Sequence, residues 1–191
     1  MKTITIVGAG ALGSHLIPLL RNLDASIRII DFDRVEQKNV MSQFHAKSSV
    51  GKAKVVALQQ TLQFLFGLKV QVIPHKLVAN NDSQLLSQSD LIVDCLDNGE
   101  ARRLVQNFAR QNKTPCLHGA LAADGQFGRS IWDENFRIDD ETNTGAATCE
   151  NGEHLPFISI VSSYMAMSVQ IFIEHGKKIG YQIFPGGATK I

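Results

Sequence analysis

The chain has 191 residues, 44% of them hydrophobic and 19% charged, which suffices for one well-buried α/β domain (residues 1–191) and is short for two. Its 19 Lys and Arg against 18 Asp and Glu leave a formal net charge of +1, so there is no electrostatic reason to expect nucleic acid or an anionic membrane as partner. Cys95, Cys116 and Cys149 are odd in number and widely spaced without a CxxC pair, which excludes a disulfide framework and a four-cysteine zinc site and fits a reducing cytoplasm.

Ile4, Ile6 and Val7 form a short β-branched run that stops at Gly8, which predicts a first strand too soon broken to be the apolar core of a signal peptide. Leu12, Leu16, Leu19, Leu20 and Leu23 then recur at helical spacing and predict a helix from Ala11 to Leu23, with Pro18 expected to kink or weaken it. Ile27-Arg28-Ile29-Ile30 predicts a second strand, which completes a βαβ unit and therefore a parallel pair. A polar stretch follows, then a helix from about Gly51 to Phe66, a strand at Val70–Ile73 and a buried strand at Ser89–Asp94. A helix from about Gly99 to Asn112 and strands at Pro115–Leu121 and Gln126–Trp132 continue the alternation.

From Trp132 to Glu153 the chain is polar, rich in Gly, Asn and Thr, and without periodicity; it is the candidate loop for covering or guiding a substrate. The apolar stretch Ile158–Ile173 falls short of the ~20 residues of a membrane span and reads as part of a buried helix over Pro156–His175. In the tail, Gly186-Gly187 reads as a flexible turn. The alternation gives a doubly wound, Rossmann-like, mainly parallel sheet with helices on both faces.

Gly8-Ala9-Gly10-Ala11-Leu12-Gly13 has the G-x-G-x-x-G spacing between a strand and a helix, where glycines allow a tight turn and backbone N–H groups can approach phosphate oxygens. Asp31 ends the second strand, where a carboxylate can accept hydrogen bonds from ribose hydroxyls. Together these point to an adenine nucleotide, although the same glycines could serve only close helix–strand packing. A nicotinamide-dependent oxidoreductase would use the same turn, but would leave two downstream groups without a role. Lys54 supplies a cation beyond the strand ends where a triphosphate would run, and Asp97 is a carboxylate that could hold Mg²⁺ among phosphate oxygens.

In this order, Gly8-x-Gly10-x-x-Gly13-Ser14, Asp31-Phe32-Asp33-x-Val35-Glu36-x-x-Asn39-x-x-x-Gln43, Val50-Gly51-x-x-Lys54, Asp94-x-x-Asp97-Asn98-x-x-x-Arg102 and His118-Gly119-Ala120 with Gly125-Gln126 cover most of the chain. The series resembles the ThiF/MoeB/HesA group, the bacterial relatives of ubiquitin-activating enzymes. The resemblance implies an ATP- and Mg²⁺-dependent adenylyltransferase. Its substrate would be the C-terminal carboxylate of a small ubiquitin-like or sulfur-carrier protein ending in Gly-Gly, and it would act as a homodimer built on the apolar surface of the terminal helix.

Carried over, the resemblance gives Gly8, Gly10, Ala11 and Gly13 the nucleotide turn, Asp31 the ribose, Asp33 a place beside the nucleotide, Asn39 and Gln43 the phosphate side, Lys54 the phosphates and Asp97 the magnesium. Arg102 would buttress the site, and Cys149 stands where some sulfur-transferring members carry a cysteine that bonds to the activated partner. Ser42 departs from the pattern, because the family has arginine before the glutamine; Lys52 and, less directly, His45 are the candidate substitutes. The family's fuller members also carry a helical segment ahead of the first strand, which here starts at Thr3. A catalytically weak nucleotide-binding homologue therefore stays open beside the adenylating enzyme. His118 at a strand end either lines the site or is a satisfied structural histidine.

Overall fold

A computed structural model describes residues 1–138 and 154–191. In chain order the strands and α-helices are β1 (Lys2–Val7), α1 (Ala11–Leu19), β2 (Ala25–Ile30), α2 (Lys54–Phe66), β3 (Gln71–Ile73), α3 (Asp82–Leu86), β4 (Leu91–Asp94), α4 (Gly99–Asn112), β5 (Cys116–Leu121), β6 (Gly128–Trp132), α5 (Leu155–His175), β7 (Tyr181–Phe184) and β8 (Gly187–Lys190). Short 3₁₀ turns at Gln37–Met41 and Lys47–Ser49 shape the connection from β2 to α2, and another at Asp133–Asn135 follows β6.

The strands form one sheet in the order β3-β2-β1-β4-β5-β6-β7-β8. β3, β2, β1, β4 and β5 run parallel, whereas β6, β7 and β8 continue the sheet antiparallel. The chain leaves β1 toward one side for β2 and returns on the other for β4, so the connections after β1 and β4 diverge at the switch point where such sheets bind ligands, while the two strand ends stay paired.

Alternation along each strand builds two cores. Ile4, Ile6, Ile27, Ile29, Leu91, Val93 and Leu117 meet α1, α2 and α5 on one face. Val7, Ile30, Ile92 and Cys116 meet Leu86 of α3 and Val105, Phe108 and Ala109 of α4 on the other. Leu58 and Leu62 of α2 are fully buried, and each such side chain contributes about 1.5–3 kcal/mol of transfer free energy.

Several expectations change at element ends. The first helix stops at Leu19 rather than Leu23: Pro18 has no N–H to give the ladder, and the chain closes in a tighter turn with the Leu20 N–H on Ile17 O at 3.1 Å. The second helix begins at Lys54 rather than Gly51, which has φ +89° and donates to Val35 O. α3 is too short at five residues to show a period in the sequence. The glycine-containing tail forms a β-hairpin in which Phe184 pairs with Gly187.

α5 is 21 residues long with a mean hydropathy of 1.6 in its most apolar window, so by length and composition it could cross a membrane. This corrects the expectation that the stretch is too short. In the fold, Phe157, Ile158, Val161, Met165 and Val169 pack one side of α5 into the first core, while Ile160 and Met167 remain exposed.

Candidate nucleotide site

Local geometry explains the glycine spacing. Gly8 takes φ +100°, a left-handed conformation that side chains disfavour, and a Cβ there would stand 2.8 Å from Cys95 O. A Cβ on Gly13 would stand 1.9 Å from Gly8 O, so α1 can lie against the turn only without one. The turn is tied to β2 through Gly8 N on Ile30 O at 2.8 Å and Ala9 N on Asp31 Oδ2 at 2.7 Å. Asp31 Oδ1 accepts from Asp33 N at 2.7 Å. Burial raises the Asp31 pKa above the usual carboxylate value, and these two backbone donors pull against the shift. Gly10 caps α1 without a side-chain partner, which leaves the helix N-terminus available to an anion.

A cavity of about 470 Å³, within the range that holds small ligands, opens at this edge of the sheet. Gly8, Gly10 and Asp31 line it with Phe32, Asp33 and Lys54, with His75–Val78 after β3, and with Cys95–Ala101 after β4. Lys54 is buried and its Nζ lies 3.0 Å from Asp33 Oδ2, while the Asp33 side chain is 47% exposed and free to share its cation. Asp97 and Glu100, which follow β4, are exposed and line the same cavity as Asp33 and Lys54. Asn98 accepts from Ala101 N at 2.8 Å and caps α4.

The other expected residues lie behind this surface. Ala11, Gly13, Asn39 and Gln43 are not among the lining residues. Asn39 Oδ1 accepts from Glu36 N at 2.8 Å in a reciprocal capping box, so its side chain shapes the connection from β2. Ser42 is fully buried, and its carbonyl meets His15 Nε2 at 3.1 Å. His45 Nε2 meets Ala9 O at 3.0 Å, and Ser14 Oγ accepts from Phe44 N at 2.9 Å, which pins the segment to the glycine turn. Burial lowers the pKa of His15 and His45, so both rings are neutral donors to these carbonyls. Ser42 Oγ, Gln43 Oε1 and His45 Nδ1 are buried without hydrogen-bond partners, a concentration of unmet polar groups beside the turn. Lys52 hydrogen-bonds Gln60 at 3.0 Å on the surface and is absent from the cavity wall, so it does not replace the missing arginine in this arrangement. Cys149 and most of the Trp132–Glu153 stretch lie outside the described residues.

Next to the β4–α4 loop, α4 covers a buried ionic network. His118 is wholly buried, with Nδ1 at 2.7 Å from Asp94 Oδ2 and Nε2 at 3.1 Å from Asp133 Oδ1. Arg102 donates to Asp94 at 3.2 Å, to Leu96 O, and to Gly119 O at 2.7 Å. Gln106 and Arg110 each bond Asp133 at 2.8 Å. The Phe136 ring stacks on His118 with centroids 4.0 Å apart.

Burial works against charge on His118, but the carboxylates of Asp133 and Asp94, each within hydrogen-bond reach of one ring nitrogen, outweigh it and hold the pKa well above the usual imidazole value. Burial likewise opposes the charge of both carboxylates; Arg102 and His118 hold Asp94 down, and His118, Arg110 and Gln106 hold Asp133 down. Burial pushes the Cys95 and Cys116 thiols up, which leaves them inert.

Sequence reading missed the His75–Val78 wall and the partners of His118. The first was accessible in principle, because a segment following a parallel strand must reach the same edge of the sheet. Lys76 Nζ lies 5.5 Å from the Phe32 ring centroid, a contact that no spacing announces. The second depends on β6 carrying Asp133 back beside β5 antiparallel, a pairing that local sequence does not state.

A glycine turn at the switch point of a largely parallel sheet, with a carboxylate at the end of the next strand, defines a Rossmann-like domain. The chain belongs to the ThiF family, which it matches over residues 1–181. It is 34% identical over 131 residues to a sulfur carrier protein adenylyltransferase of Thermus thermophilus, covering 65% of this chain and 47% of the relative. It is 31% identical to the adenylyltransferase and sulfurtransferase UBA4 of Lodderomyces elongisporus, over 86% of this chain and 38% of the relative. The chain thus spans less than half the length of these relatives. Among solved structures, the fold matches E. coli MccB crystallised with ATP at a TM-score of 0.78 and 15% identity, covering all of this chain and 62% of that one. It matches PaaA at 0.75 and 18% identity, covering all of this chain and 64% of that one.

Proposed function

We propose that the cavity binds ATP and that the chain adenylates the C-terminal carboxylate of a small ubiquitin-like or sulfur-carrier protein ending in Gly-Gly, releasing pyrophosphate. The observation that carries this reading is a buried lysine, Lys54, facing a cavity that also presents Asp31 and the exposed carboxylate of Asp97. The names of the relatives support the reaction class, since they are adenylyltransferases and one acts on a sulfur carrier protein. A cytoplasmic setting goes with it, where ATP is supplied and free thiols such as Cys95 and Cys116 persist. The exposed Ile160 and Met167 of α5 are the candidate surface for a homodimer.

Each side chain has a defined task in that reaction. The glycine turn and the α1 N-terminus hold phosphate oxygens, and Asp31, already fixed by two backbone donors, accepts from the ribose. Lys54 exchanges part of its pairing with Asp33 for the phosphates. A substrate carboxylate oxygen attacks the α-phosphorus, and the bond from that phosphorus to the bridging oxygen breaks, with pyrophosphate carrying away the electrons. The attacking carboxylate is ionised at neutral pH, so no protein base is needed. Orientation and charge neutralisation are what the chain must supply.

Asp97 fits a magnesium ion of the kind held by one or two carboxylates together with substrate phosphates. Among the described residues no group of three or more His, Cys, Asp and Glu is placed to cage a metal, so the remaining ligands would be phosphate and water. When bound, such an ion offsets phosphate charge. ATP–pyrophosphate exchange in the presence of candidate carrier proteins tests the reading. Exchange that requires an intact Gly-Gly terminus supports it, and the absence of exchange with every such carrier counts against it.

A further inference from the structure

The Cys95–Asn98 segment that carries Asp97 is held from two sides. On one, Cys95 N donates to Val7 O at 2.8 Å and the segment packs on Gly8, where a Cβ would stand 2.8 Å from Cys95 O. On the other, Leu96 N donates to Asp94 Oδ1 at 2.9 Å, and Arg102 donates to both Asp94 and Leu96 O. Asp94 is fully buried, and Arg102 is the first of two counter-charges that offset the cost of its ionised carboxylate. His118 supplies the second. Its ring spans from Asp94 to Asp133 and so joins β4, β5 and the turn after β6 into a single brace beneath the segment.

We propose that His118, clamped between Asp94 and Asp133, is a positioning residue that sets the Cys95–Asn98 segment and thereby places Asp97 at the mouth of the cavity. The inference rests on the ATP-binding reading for its consequence, though not for its geometry. His118 itself is wholly buried and does not line the cavity, so it touches no ligand there. Neutral His118 would offer one donor to two carboxylates, whereas the imidazolium offers one to each. Arg110 and Gln106 fix Asp133 from α4, and the Phe136 face prevents the ring from rotating out of the line between its partners. A side chain without two opposed donors cannot hold both carboxylates at once.

The test compares wild type, His118→Gln, Asp97→Ala and the double variant by two measurements. Hydrogen exchange on the ligand-free chain reads the segment directly. His118→Gln is expected to speed exchange at Cys95 and Leu96 while leaving the β1, β2 and α2 amides unchanged; a uniform increase, or none at 95–96, overturns the proposal. Calorimetry then gives the ratio of ATP affinities with and without Mg²⁺, which removes effects common to both.

Disturbing the support of a metal ligand typically costs about 10–100-fold in metal affinity, so His118→Gln is expected to reduce this ratio by about 10-fold. Asp97→Ala is expected to do the same, with no further loss in the double variant. Independent losses that multiply in the double variant overturn the proposal. If His118→Gln does not fold, Asp133→Asn neutralises one end of the clamp without touching β5 and must give a smaller shift in the same direction. ATP binding that wild type lacks altogether would overturn the proposed function, and the exchange measurement would still decide whether His118 sets the segment.

Discussion

Gly13 and Gly8 are packed so closely that a Cβ on Gly13 would reach within 1.9 Å of the Gly8 carbonyl oxygen. The obstruction is backbone, so no side-chain rotation can relieve it. Gly13→Ala is expected to destabilise the fold by about 1–3 kcal/mol, the usual range for overpacking, and to weaken nucleotide binding by displacing the turn. Chemical denaturation and ATP titration check the two effects together. Gly10→Ala, where a Cβ meets nothing within 4 Å, is the control and should leave stability nearly unchanged.

Lys54 and Asp33 form a pair that a triphosphate can enter. Lys54→Ala is expected to weaken ATP binding by about 100-fold, in line with removal of one preorganised charge-stabilising group, and to change adenosine binding little. Equal losses for ATP and adenosine would place Lys54 away from the phosphates.

Both carboxylate oxygens of Asp31 accept from backbone N–H groups, Ala9 and Asp33. In Asp31→Asn one of those oxygens becomes an NH₂ that must face a donor. The variant is expected to cost about 1–3 kcal/mol of stability, the penalty for an unsatisfied buried group, and so to resemble Asp31→Ala despite being nearly isosteric. Denaturation midpoints of the two variants decide this.

His118 also predicts the direction of pH dependence. Its folded pKa is raised well above the usual imidazole value, so its stabilisation is complete below its unfolded value of about 6.5 and is lost as pH rises toward the folded value. Across that window the folded state holds the extra proton, and stability falls with pH by up to ~1.4 kcal/mol per unit. Asp94 and Asp133 act in the opposite sense. Their pKa values are lowered, so their contribution is present above about pH 4 and disappears as pH falls through the folded values. Urea unfolding from pH 7 to 9.5 should show a steeper decline for wild type than for His118→Gln. Parallel curves would mean that the ring is neutral in the fold.

The exposed Ile160 and Met167 lie on the side of α5 turned away from the core. If that side forms the homodimer, light scattering should give twice the chain mass for wild type and the single-chain mass for Ile160→Lys with Met167→Lys. A wild-type monomer at working concentration would remove the dimer from the account.

Local sequence carried the parts of this fold that depend on neighbours along the chain. The β-branched run before Gly8, the glycine spacing and the amphipathic α4 were legible because strand period, helix period and turn chemistry are local. Asp31, Lys54 and Asp97 could be brought to one edge because parallel connections put successive strand ends together. Asn39 and Gln43 were harder to place. Their spacing is compatible with a ligand, and only the capping box around Glu36 and the burial of the 42–45 segment show what surrounds them. The His118 clamp joins residues 94, 118 and 133 through tertiary pairing, so no window of sequence contains it. The β7–β8 hairpin was underread because strands of four residues give little period-2 signal.

Calorimetric titration of the purified chain with ATP·Mg²⁺ and, separately, with NADH tests the central claim most directly. The account predicts that ATP·Mg²⁺ binds, that Lys54→Ala and Asp97→Ala weaken it, and that NADH does not compete. NADH binding in preference to ATP, or ATP binding indifferent to both substitutions, would contradict an adenylating site built on these residues.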